Sequence, residues 1–332
     1  MNPGGRVSKP NVFITRMIPE KAISYLREQC IVDVNPDDRP LTRDELLKNT
    51  AGRHAVMTML TDAVDAVFFE AVGPQCRIVA NYAVGYNNMD IPAATERGVF
   101  LSNTPDVLTD ATADMAWALI LATARRVVEG DAVVRKGRFS GWSPLFMLGV
   151  EVTGKTLGII GAGRIGQATA KRAQGFNMRV LYTANSPKRE FEAAAGARFV
   201  DLDTLLRESD FISLHVPLTS KTKHIIGAPE FGIMKKSAIL VNTARGPVVD
   251  EKALVTALVE GRIRGAGLDV YEQEPLVEAG LRDLPNVVLA PHLGSSTLET
   301  RERMGMMAAD NILRALAGEV PPQCLNPGAA RR

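Results

Sequence analysis

The stretch that decides the fold runs Thr156-Leu157-Gly158-Ile159-Ile160-Gly161-Ala162-Gly163-Arg164-Ile165-Gly166. Its first five residues form a mostly apolar run typical of a buried strand, and the next six match the pattern GxGxxG, in which x is any residue. The first glycine permits a tight turn, the second a close approach to a pyrophosphate, and the third close packing of helix on strand. Because a helix is predicted from Arg164 to Phe176, the stretch predicts a dinucleotide site at a helix N-terminus.

Strands and helices alternate on both sides of this stretch. Other strands are predicted at Val12–Thr15, Ile31–Val34, His54–Met59, Arg77–Ala80, Val99–Leu101, Arg179–Thr183, Phe211–Val216, Ala238–Asn242, Gly267–Val270 and Val287–Ala290. Other helices are predicted at Pro19–Gln29, Thr42–Asn49 (with a Thr42/Glu45 capping box), Ala111–Lys136 as one long helix, and Thr297–Ala317. Strands separated by helices indicate parallel sheets, so the pattern predicts an α/β protein with two doubly wound units.

Composition excludes several classes of protein. The net charge is +2, from 39 basic and 37 acidic side chains that are dispersed along the chain, so neither nucleic acid nor an anionic membrane is an expected partner. The three cysteines lie far apart without a CxxC pair, which argues against a disulfide framework or a structural zinc site, and no metal site is predicted.

Targeting signals are not evident in the sequence. The longest apolar stretch, Met115–Ala124, is too short to span a bilayer. Met1–Lys9 is expected to be a loose polar tail, and the terminal Ala330–Arg332 matches no targeting signal. The expected location is therefore the cytoplasm.

The end of the strand after the glycine turn bears on the cofactor. Sites that prefer NAD usually carry Asp or Glu there to bind the ribose hydroxyls, and Ala184 stands at that position. Lys188 and Arg189 follow closely and could attract a 2′-phosphate, although both also fit ordinary solvated loop charges. The prediction is NADP, with NAD as the alternative.

Four polar residues follow predicted strands in the second half of the chain: Arg245, Asp269, Glu274 and His292. The carboxyl ends of parallel strands form the ligand crevice of an open α/β sheet, so these side chains are expected to converge beside a dinucleotide. The other three histidines, His54, His215 and His224, are interpreted as structural. A surface cluster of salt bridges is the alternative interpretation of the converging set.

Three of these residue types suit the reduction of a 2-oxo acid. A guanidinium offers two parallel donors to the substrate carboxylate, which fits Arg245. Histidine titrates in the range needed to protonate a carbonyl oxygen, which fits His292. A neighbouring carboxylate favours imidazolium and selects its tautomer, which fits Glu274.

These motifs resemble those of the D-isomer-specific 2-hydroxyacid dehydrogenases. The resemblance runs from about Val12 to Pro321 and is carried by Gly161–Gly166, Val241–Gly246, Gly267–Pro275 and Pro291–Gly294. It implies two Rossmann-like domains with the active site in the cleft between them. Residues 1–103 and 292–332 would bind substrate, and residues 104–291 would bind nucleotide.

The resemblance also implies the site residues. The catalytic set would be Arg245, Glu274 and His292. Cofactor contacts would come from Thr109, Gly161, Gly163, Arg164, Ile165, Gly166, Ala184, Asn185, Ser186, Lys188, Pro217, Thr222, Thr243, Ala244, Arg245, Asp269, His292 and Gly294, with Asp269 near the nicotinamide amide. Substrate contacts would come from Val84, Gly85, Arg245, His292 and Trp142.

Within the family the sequence is most similar to glyoxylate/hydroxypyruvate reductases, through Asn81–Tyr86 and Trp142–Gly149. In that subgroup a partner's tryptophan covers the active site, so Trp142 implies a homodimer, with simple packing as the alternative. Two departures stand out. Asn87 replaces the subgroup's usual Asp, and Asn185 stands where NADP-using members often have Arg.

The predicted function is thus NAD(P)H-dependent reduction of glyoxylate or hydroxypyruvate to the D-2-hydroxy acid, with His292 as the proton donor. Two alternatives stay open, a D-3-phosphoglycerate dehydrogenase and a non-catalytic nucleotide-sensing corepressor of the same fold. The sequence shows neither the regulatory domain common in the former nor the partner-binding features and longer tails expected of the latter.

Overall fold

The computed structural model describes residues 9–329, so most of the predicted N-terminal tail and the last three residues lie outside the described part. The chain divides into two compact units. The first comprises residues up to Leu108 and from Thr297 onward, and the second comprises Thr109–Ser296. These divisions fall a few residues after the predicted boundaries, which places His292 in the second unit.

The first unit contains a parallel five-stranded sheet in the order β2-β1-β3-β4-β5. In chain order its elements are β1 (Asn11–Ile14), α1 (Glu20–Arg27), β2 (Ile31–Val34), α2 (Arg43–Thr50), β3 (Ala55–Thr58), α3 (Ala66–Val72), β4 (Ile78–Asn81), α4 (Ile91–Glu96) and β5 (Phe100–Ser102). The predicted capping box is confirmed, because Thr42 accepts from the Glu45 amide while Glu45 accepts from the Thr42 amide. The helices α3 and α4 were not predicted.

The second unit contains a parallel seven-stranded sheet in the order β12-β11-β10-β9-β6-β7-β8. In chain order its elements are α5 (Thr109–Ala124), α6 (Val127–Arg135), β6 (Thr156–Ile160), α7 (Arg164–Ala173), β7 (Arg179–Thr183), α8 (Arg189–Ala195), β8 (Ala197–Phe199), α9 (Leu202–Glu208), β9 (Phe211–Leu214), α10 (Ala228–Ile233), β10 (Ile239–Asn242), α11 (Glu251–Val259), β11 (Gly265–Leu268), α12 (Ala279–Arg282) and β12 (Val287–Leu289). The strand order reverses between β6 and β9, and ligands bind at such a reversal in open α/β sheets.

The prediction of two units with parallel sheets and alternating helices is confirmed. Apolar residues cover both faces of the second sheet. One core contains residues of α5, α7 and β6, and the other contains residues of α9, α10 and α11. Strands buried on both faces carry near-continuous apolar runs, which explains why the pattern was legible in the sequence.

The single long helix predicted over Ala111–Lys136 is wrong. The first helix ends at Ala124, Arg126 adopts a left-handed conformation at φ 55°, and α6 then begins at Val127. The amide of Val150 donates to the Ala124 carbonyl at 2.8 Å. A distant segment therefore takes a carbonyl that a continuous helix would use.

The last helix, α13 (Leu298–Leu316), lies close to its predicted bounds and returns to the first unit, where it packs against α1 and β4. Strand β11 was predicted at Gly267–Val270 and begins two residues earlier, at Gly265. Gly265 and Ala266 have no β-branched side chain that would indicate a strand, and they belong to one because they pair with β10 and β12. Asp269 consequently lies just after the strand. His215, predicted to be inside a strand, also lies just past the end of β9.

Candidate functional site

The glycine turn joins β6 to α7 as predicted, and each glycine has a distinct environment. Gly161 has φ +100°, and a Cβ there would lie 2.7 Å from the backbone of His215. A Cβ on Gly166 would lie 2.1 Å from the Gly161 carbonyl oxygen. A Cβ on Gly163, the N-cap of α7, would meet nothing within 4 Å. The first and third glycines thus permit packing, whereas the second faces open space where a phosphate could approach.

This arrangement fits a dinucleotide. The first turn of α7 supplies backbone amides and the positive end of the helix dipole, and Arg164 and Ile165 are its first two residues. The buried hydroxyl of Thr243, after β10, finds no hydrogen-bond partner among the described residues. An unsatisfied buried hydroxyl is costly unless a ligand completes it, which agrees with the predicted cofactor role of Thr243 and its neighbour Ala244.

The loop after β7 exposes Asn185, Ser186 and Lys188, while Ala184 is half-buried. Its shape is held by Tyr182, whose buried hydroxyl accepts from the Lys188 amide at 2.6 Å and donates to a carboxylate oxygen of Glu192 at 3.0 Å. The sequence did not indicate that Tyr182 would bind this loop.

The loop after β9 contains Pro217 and Thr222. The Thr222 hydroxyl donates to the Pro217 carbonyl at 2.6 Å and accepts from the Thr219 amide at 2.8 Å. These bonds close the loop on itself, so Thr222 shapes the backbone at this point.

His292 and Glu274 meet, as the sequence predicted. Nδ1 of His292 lies 2.8 Å from Oε2 of Glu274, and the Tyr271 amide donates to Oε1 of Glu274 at 3.1 Å. His292 adopts a left-handed conformation at φ 57°, and its amide donates to the Asp269 carbonyl at 2.9 Å. Because Nδ1 is engaged, Nε2 is the ring nitrogen left to face a substrate.

The surroundings of Glu274 favour the charged form of its carboxyl group. Burial alone would raise the pKa of Glu274, but the hydrogen bond and charge of His292, the Tyr271 amide and the charge of Arg245 together outweigh it. The pKa of Glu274 therefore lies below its ordinary value, and the residue remains a carboxylate at neutral pH.

Asp269 anchors the backbone that carries His292. Its Oδ1 accepts from the Leu293 amide at 2.6 Å and its Oδ2 from the Gly294 amide at 2.7 Å. The Thr112 hydroxyl donates to the Gly294 carbonyl at 3.0 Å, which ties the same segment to α5. Burial raises the pKa of Asp269, although the two amides oppose the shift. This anchoring role was not predicted.

Arg245 follows β10 and is held by its own loop. Asn242 Nδ2 donates to the Arg245 carbonyl at 2.9 Å, and Nη1 of Arg245 donates to the Ala244 carbonyl at 2.7 Å. Burial lowers the pKa of Arg245, while the charge of Glu274 opposes that shift. A largely desolvated guanidinium binds a carboxylate more strongly than an exposed one does.

In the first unit, three consecutive carbonyls are held at the predicted substrate loop. Asn103 Nδ2 donates to the Val84 carbonyl at 2.7 Å and Asn81 Nδ2 donates to the Gly85 carbonyl at 2.9 Å, while the Thr104 amide donates to the Ala83 carbonyl at 2.9 Å. Within residues 9–329 the amides of Val84 and Gly85 donate no hydrogen bond. Asn81 and Asn103 were missed as contributors, and the only signal was a polar residue at or just after each strand end.

The remaining histidines differ from one another. The His54 ring accepts from the Asn11 amide at 3.1 Å, and His215 is buried with its ring 2.9 Å from the Ser213 hydroxyl. Burial lowers the pKa of His215 to about 3, so its ring is neutral. His224 pairs with Glu272 at 2.5 Å, a second histidine–glutamate pair that the sequence did not reveal.

Trp142 is 85% exposed, so it is not packed within this chain. It lies in a segment of further exposed apolar side chains that follows α6, itself a helix with no buried residue. The exposed residues of this surface include Val127, Val128, Val134, Phe139, Leu145 and Leu148.

No helix among the described residues is long and apolar enough to cross a membrane. Within residues 9–329, no cluster of three or more His, Cys, Asp or Glu side chains is arranged to hold a metal ion.

Comparison with known proteins agrees with this geometry. Residues 117–294 match the model of the D-isomer specific 2-hydroxyacid dehydrogenase, NAD binding domain. The chain is 53% identical over 322 residues to a glyoxylate reductase of Thermococcus kodakarensis, covering 96% of each. Among solved structures it is similar to a protein from Thermus thermophilus (TM-score 0.90, 44% identity, covering 95% of this chain and 99% of the other). It is also similar to an NADPH-dependent glyoxylate/hydroxypyruvate reductase from Sinorhizobium meliloti in complex with NADP and malonate (TM-score 0.85, 31% identity, covering 98% and 99%).

Proposed function

The chain belongs to the D-isomer specific 2-hydroxyacid dehydrogenase family, and from this premise we propose that it reduces glyoxylate or hydroxypyruvate to the D-2-hydroxy acid. The observation that carries the proposal is the His292–Glu274 pair, which lies in the same unit as Arg245 and the glycine turn. A general acid, a carboxylate clamp and a dinucleotide cradle are the parts that this reduction requires.

A nicotinamide cofactor, when bound, supplies the hydride to the carbonyl carbon. His292 then acts as proton donor, giving the proton on Nε2 to the carbonyl oxygen. Glu274 holds Nδ1–H and stabilises the imidazolium before transfer, and Asp269 fixes the backbone that carries the ring. After transfer the ring is neutral, and solvent returns its proton.

Arg245 is the proposed clamp for the substrate carboxylate. Its guanidinium is planar and fork-shaped, and two parallel hydrogen bonds would orient the 2-oxo group relative to His292. The similarity to the family adds the amides of Val84 and Gly85 to the proposed substrate contacts. Residues 1–103 and 292–332 are accordingly the proposed substrate-binding part, and residues 104–291 the nucleotide-binding part.

The proposed cofactor is NADP, with NAD as the alternative. Ala184 places no carboxylate at the ribose position, and the exposed Lys188 lies on the same loop. The similar Sinorhizobium meliloti reductase was crystallised with NADP. Asn185, where an arginine is frequent in NADP-using members, is the feature that favours the alternative.

A homodimer is the proposed assembly. A helix without buried residues, followed by a largely exposed tryptophan, leaves an apolar surface of a kind that monomers rarely expose. In the proposed dimer Trp142 also contacts the partner's substrate. Light scattering after size exclusion should give twice the chain mass, and Val134→Asp should give the monomer. A monomeric wild type would contradict the proposal. The cytoplasmic location remains a prediction, which cell fractionation tests.

The deciding experiment is the initial rate of NADPH and NADH oxidation with glyoxylate, hydroxypyruvate, pyruvate and phosphohydroxypyruvate. Fast NADPH oxidation with the first two is the expected result. Faster NADH oxidation would refute the cofactor proposal. Activity confined to phosphohydroxypyruvate would indicate a phosphoglycerate dehydrogenase, and no turnover with any substrate would favour a nucleotide sensor.

A further inference from the structure

A cluster of three ionisable residues lies next to the segments that carry Arg245 and Glu274 and has no part in the mechanism above. We call His224, Glu251 and Glu272 the loop brace. Glu272 lies two residues before Glu274, and Glu251 begins α11 at the end of the loop that starts at Arg245. The brace therefore connects the two segments that carry these catalytic residues.

The two glutamates bind each other's backbone reciprocally. The Glu272 amide donates to Oε1 of Glu251 at 2.8 Å, and the Glu251 amide donates to Oε2 of Glu272 at 3.3 Å. The remaining Glu272 oxygen, Oε1, is paired with the His224 ring. Every oxygen of the Glu272 carboxylate is thus engaged, and the pairing determines the register of one loop against the other.

Backbone contacts complete the connection. The His224 amide donates to the Pro247 carbonyl at 2.8 Å, two residues after Arg245. A Cβ on Gly246 would lie 1.8 Å from the Tyr271 carbonyl carbon, so the chain directly after Arg245 lies against the peptide between Tyr271 and Glu272. The Tyr271 amide in turn binds Glu274.

The brace contains a buried acidic side chain beside a second one. Glu251 is 5% exposed, and its pKa is raised by burial and further by the charge of Glu272. Two facing carboxylates repel, and apolar side chains would hold the loops without that repulsion. Hydrogen bonds from a carboxylate to a backbone amide add direction, which apolar contacts lack.

We propose that His224, Glu251 and Glu272 are positioning residues that hold Glu274 and Arg245 in their reactive arrangement. The proposal rests on the proposed function, since it assigns the brace to that reaction. A small displacement of a reacting group can lower a rate by about a hundredfold, so loosening the brace should reduce turnover.

The test compares Glu272→Gln, which loses one acceptor, with Glu251→Gln, which retains the oxygen that accepts from the Glu272 amide. Glu260→Gln is the matched control, because it removes a carboxylate from an exposed ion pair with Arg262 in the same unit. We expect kcat with glyoxylate to fall on the order of tenfold to a hundredfold in Glu272→Gln and by less in Glu251→Gln. The high-pH limb of kcat/KM should also move in Glu272→Gln.

A second readout does not depend on activity. Hydrogen exchange of segments 245–251 and 270–276 should be faster in Glu272→Gln than in the wild type or Glu260→Gln. Where Glu272→Gln folds poorly, His224→Asn tests the same pairing, because Asn tolerates the left-handed conformation and cannot reach Glu272.

Faster exchange with unchanged kcat and pH profile would overturn the proposal, since the brace would then be structural only. Unchanged exchange would overturn it as well. A wild type without turnover would refute the proposed function instead, and the exchange rates would still show whether the brace holds the loops.

Discussion

Replacing Glu274 by Gln should move the pH dependence of reduction. Gln has almost the same shape as Glu and keeps an oxygen that can accept from Nδ1–H of His292, so the ring stays oriented. The substitution removes the negative charge that stabilises the imidazolium. Because the proposed reduction requires a protonated ring, kcat/KM should begin to fall at a lower pH in the variant.

The size of the shift follows from the geometry. The two atoms are 2.8 Å apart, and the side chains are 29% and 31% exposed. A hydrogen bond to a charged group contributes about 1.5–3 kcal/mol, and partial exposure places this pair near the lower limit. At about 1.4 kcal/mol per pH unit, the expected shift is about one unit.

The assay is the initial rate of dinucleotide oxidation at low glyoxylate concentration between about pH 5 and pH 10. The lowered pKa of Glu274 keeps the wild-type carboxylate ionised throughout this range, so its own titration does not interfere. Glu299→Gln, which neutralises an exposed glutamate in the first turn of α13, is the control and should leave the profile unchanged. An unshifted limb in Glu274→Gln would refute the role assigned to the carboxylate, and a rate that is low at every pH would point to geometry alone.

Five further substitutions test other parts of the structure. In steady-state kinetics His292→Ala should chiefly lower kcat, whereas Arg245→Ala should also raise KM by about 10- to 100-fold, since charged hydrogen bonds of about 1.5–3 kcal/mol are lost. The same kinetic pattern in both variants would contradict their separate roles. Gly163→Ala should retain the melting temperature and weaken dinucleotide binding, while Gly166→Ala should destabilise the fold by about 1–3 kcal/mol. Thermal melting measures the stability and fluorescence titration the dinucleotide affinity, and a destabilised Gly163→Ala beside a stable Gly166→Ala would contradict the roles assigned to the two glycines. Because burial lowers the pKa of His215 from 6.5 to about 3, only the unfolded chain binds a proton at this residue just below pH 6.5, so the free energy of unfolding should decrease by up to about 1.4 kcal/mol for each pH unit below that value. Urea titrations should show a weaker pH dependence in His215→Gln, and an identical slope in variant and wild type would contradict this expectation.

Local patterns predicted the parts of the site that depend on short stretches of chain. The glycine turn was legible because a strand, a turn and a helix follow one another within eighteen residues. The meeting of Glu274 and His292 was also predictable, because parallel strands bring their carboxyl ends to one edge of a sheet. Neither inference required knowledge of how distant segments pack.

Contacts between distant segments could not be predicted in this way. Next to the break at Arg126 the Val150 amide binds the Ala124 carbonyl, and the pair of His224 with Glu272 joins residues 48 positions apart. Asp269 was predicted to lie near the cofactor, but its two bonds to the Leu293 and Gly294 amides became visible only in three dimensions. None of these contacts has a periodicity or spacing that marks it in the sequence.

The sequence by itself determined the class of fold and the glycine turn and indicated the residue types proposed for catalysis, because each follows from side-chain period or from the order of strands. Only the tertiary structure decided which groups hold the loops of the candidate site in place. Those groups are buried carboxylates and asparagine amides that bind backbone far away along the chain, such as Asp269, Glu251 and Asn103. A buried polar group must find its partner wherever packing places one, so its role is set by the folded neighbourhood and not by its neighbours in sequence.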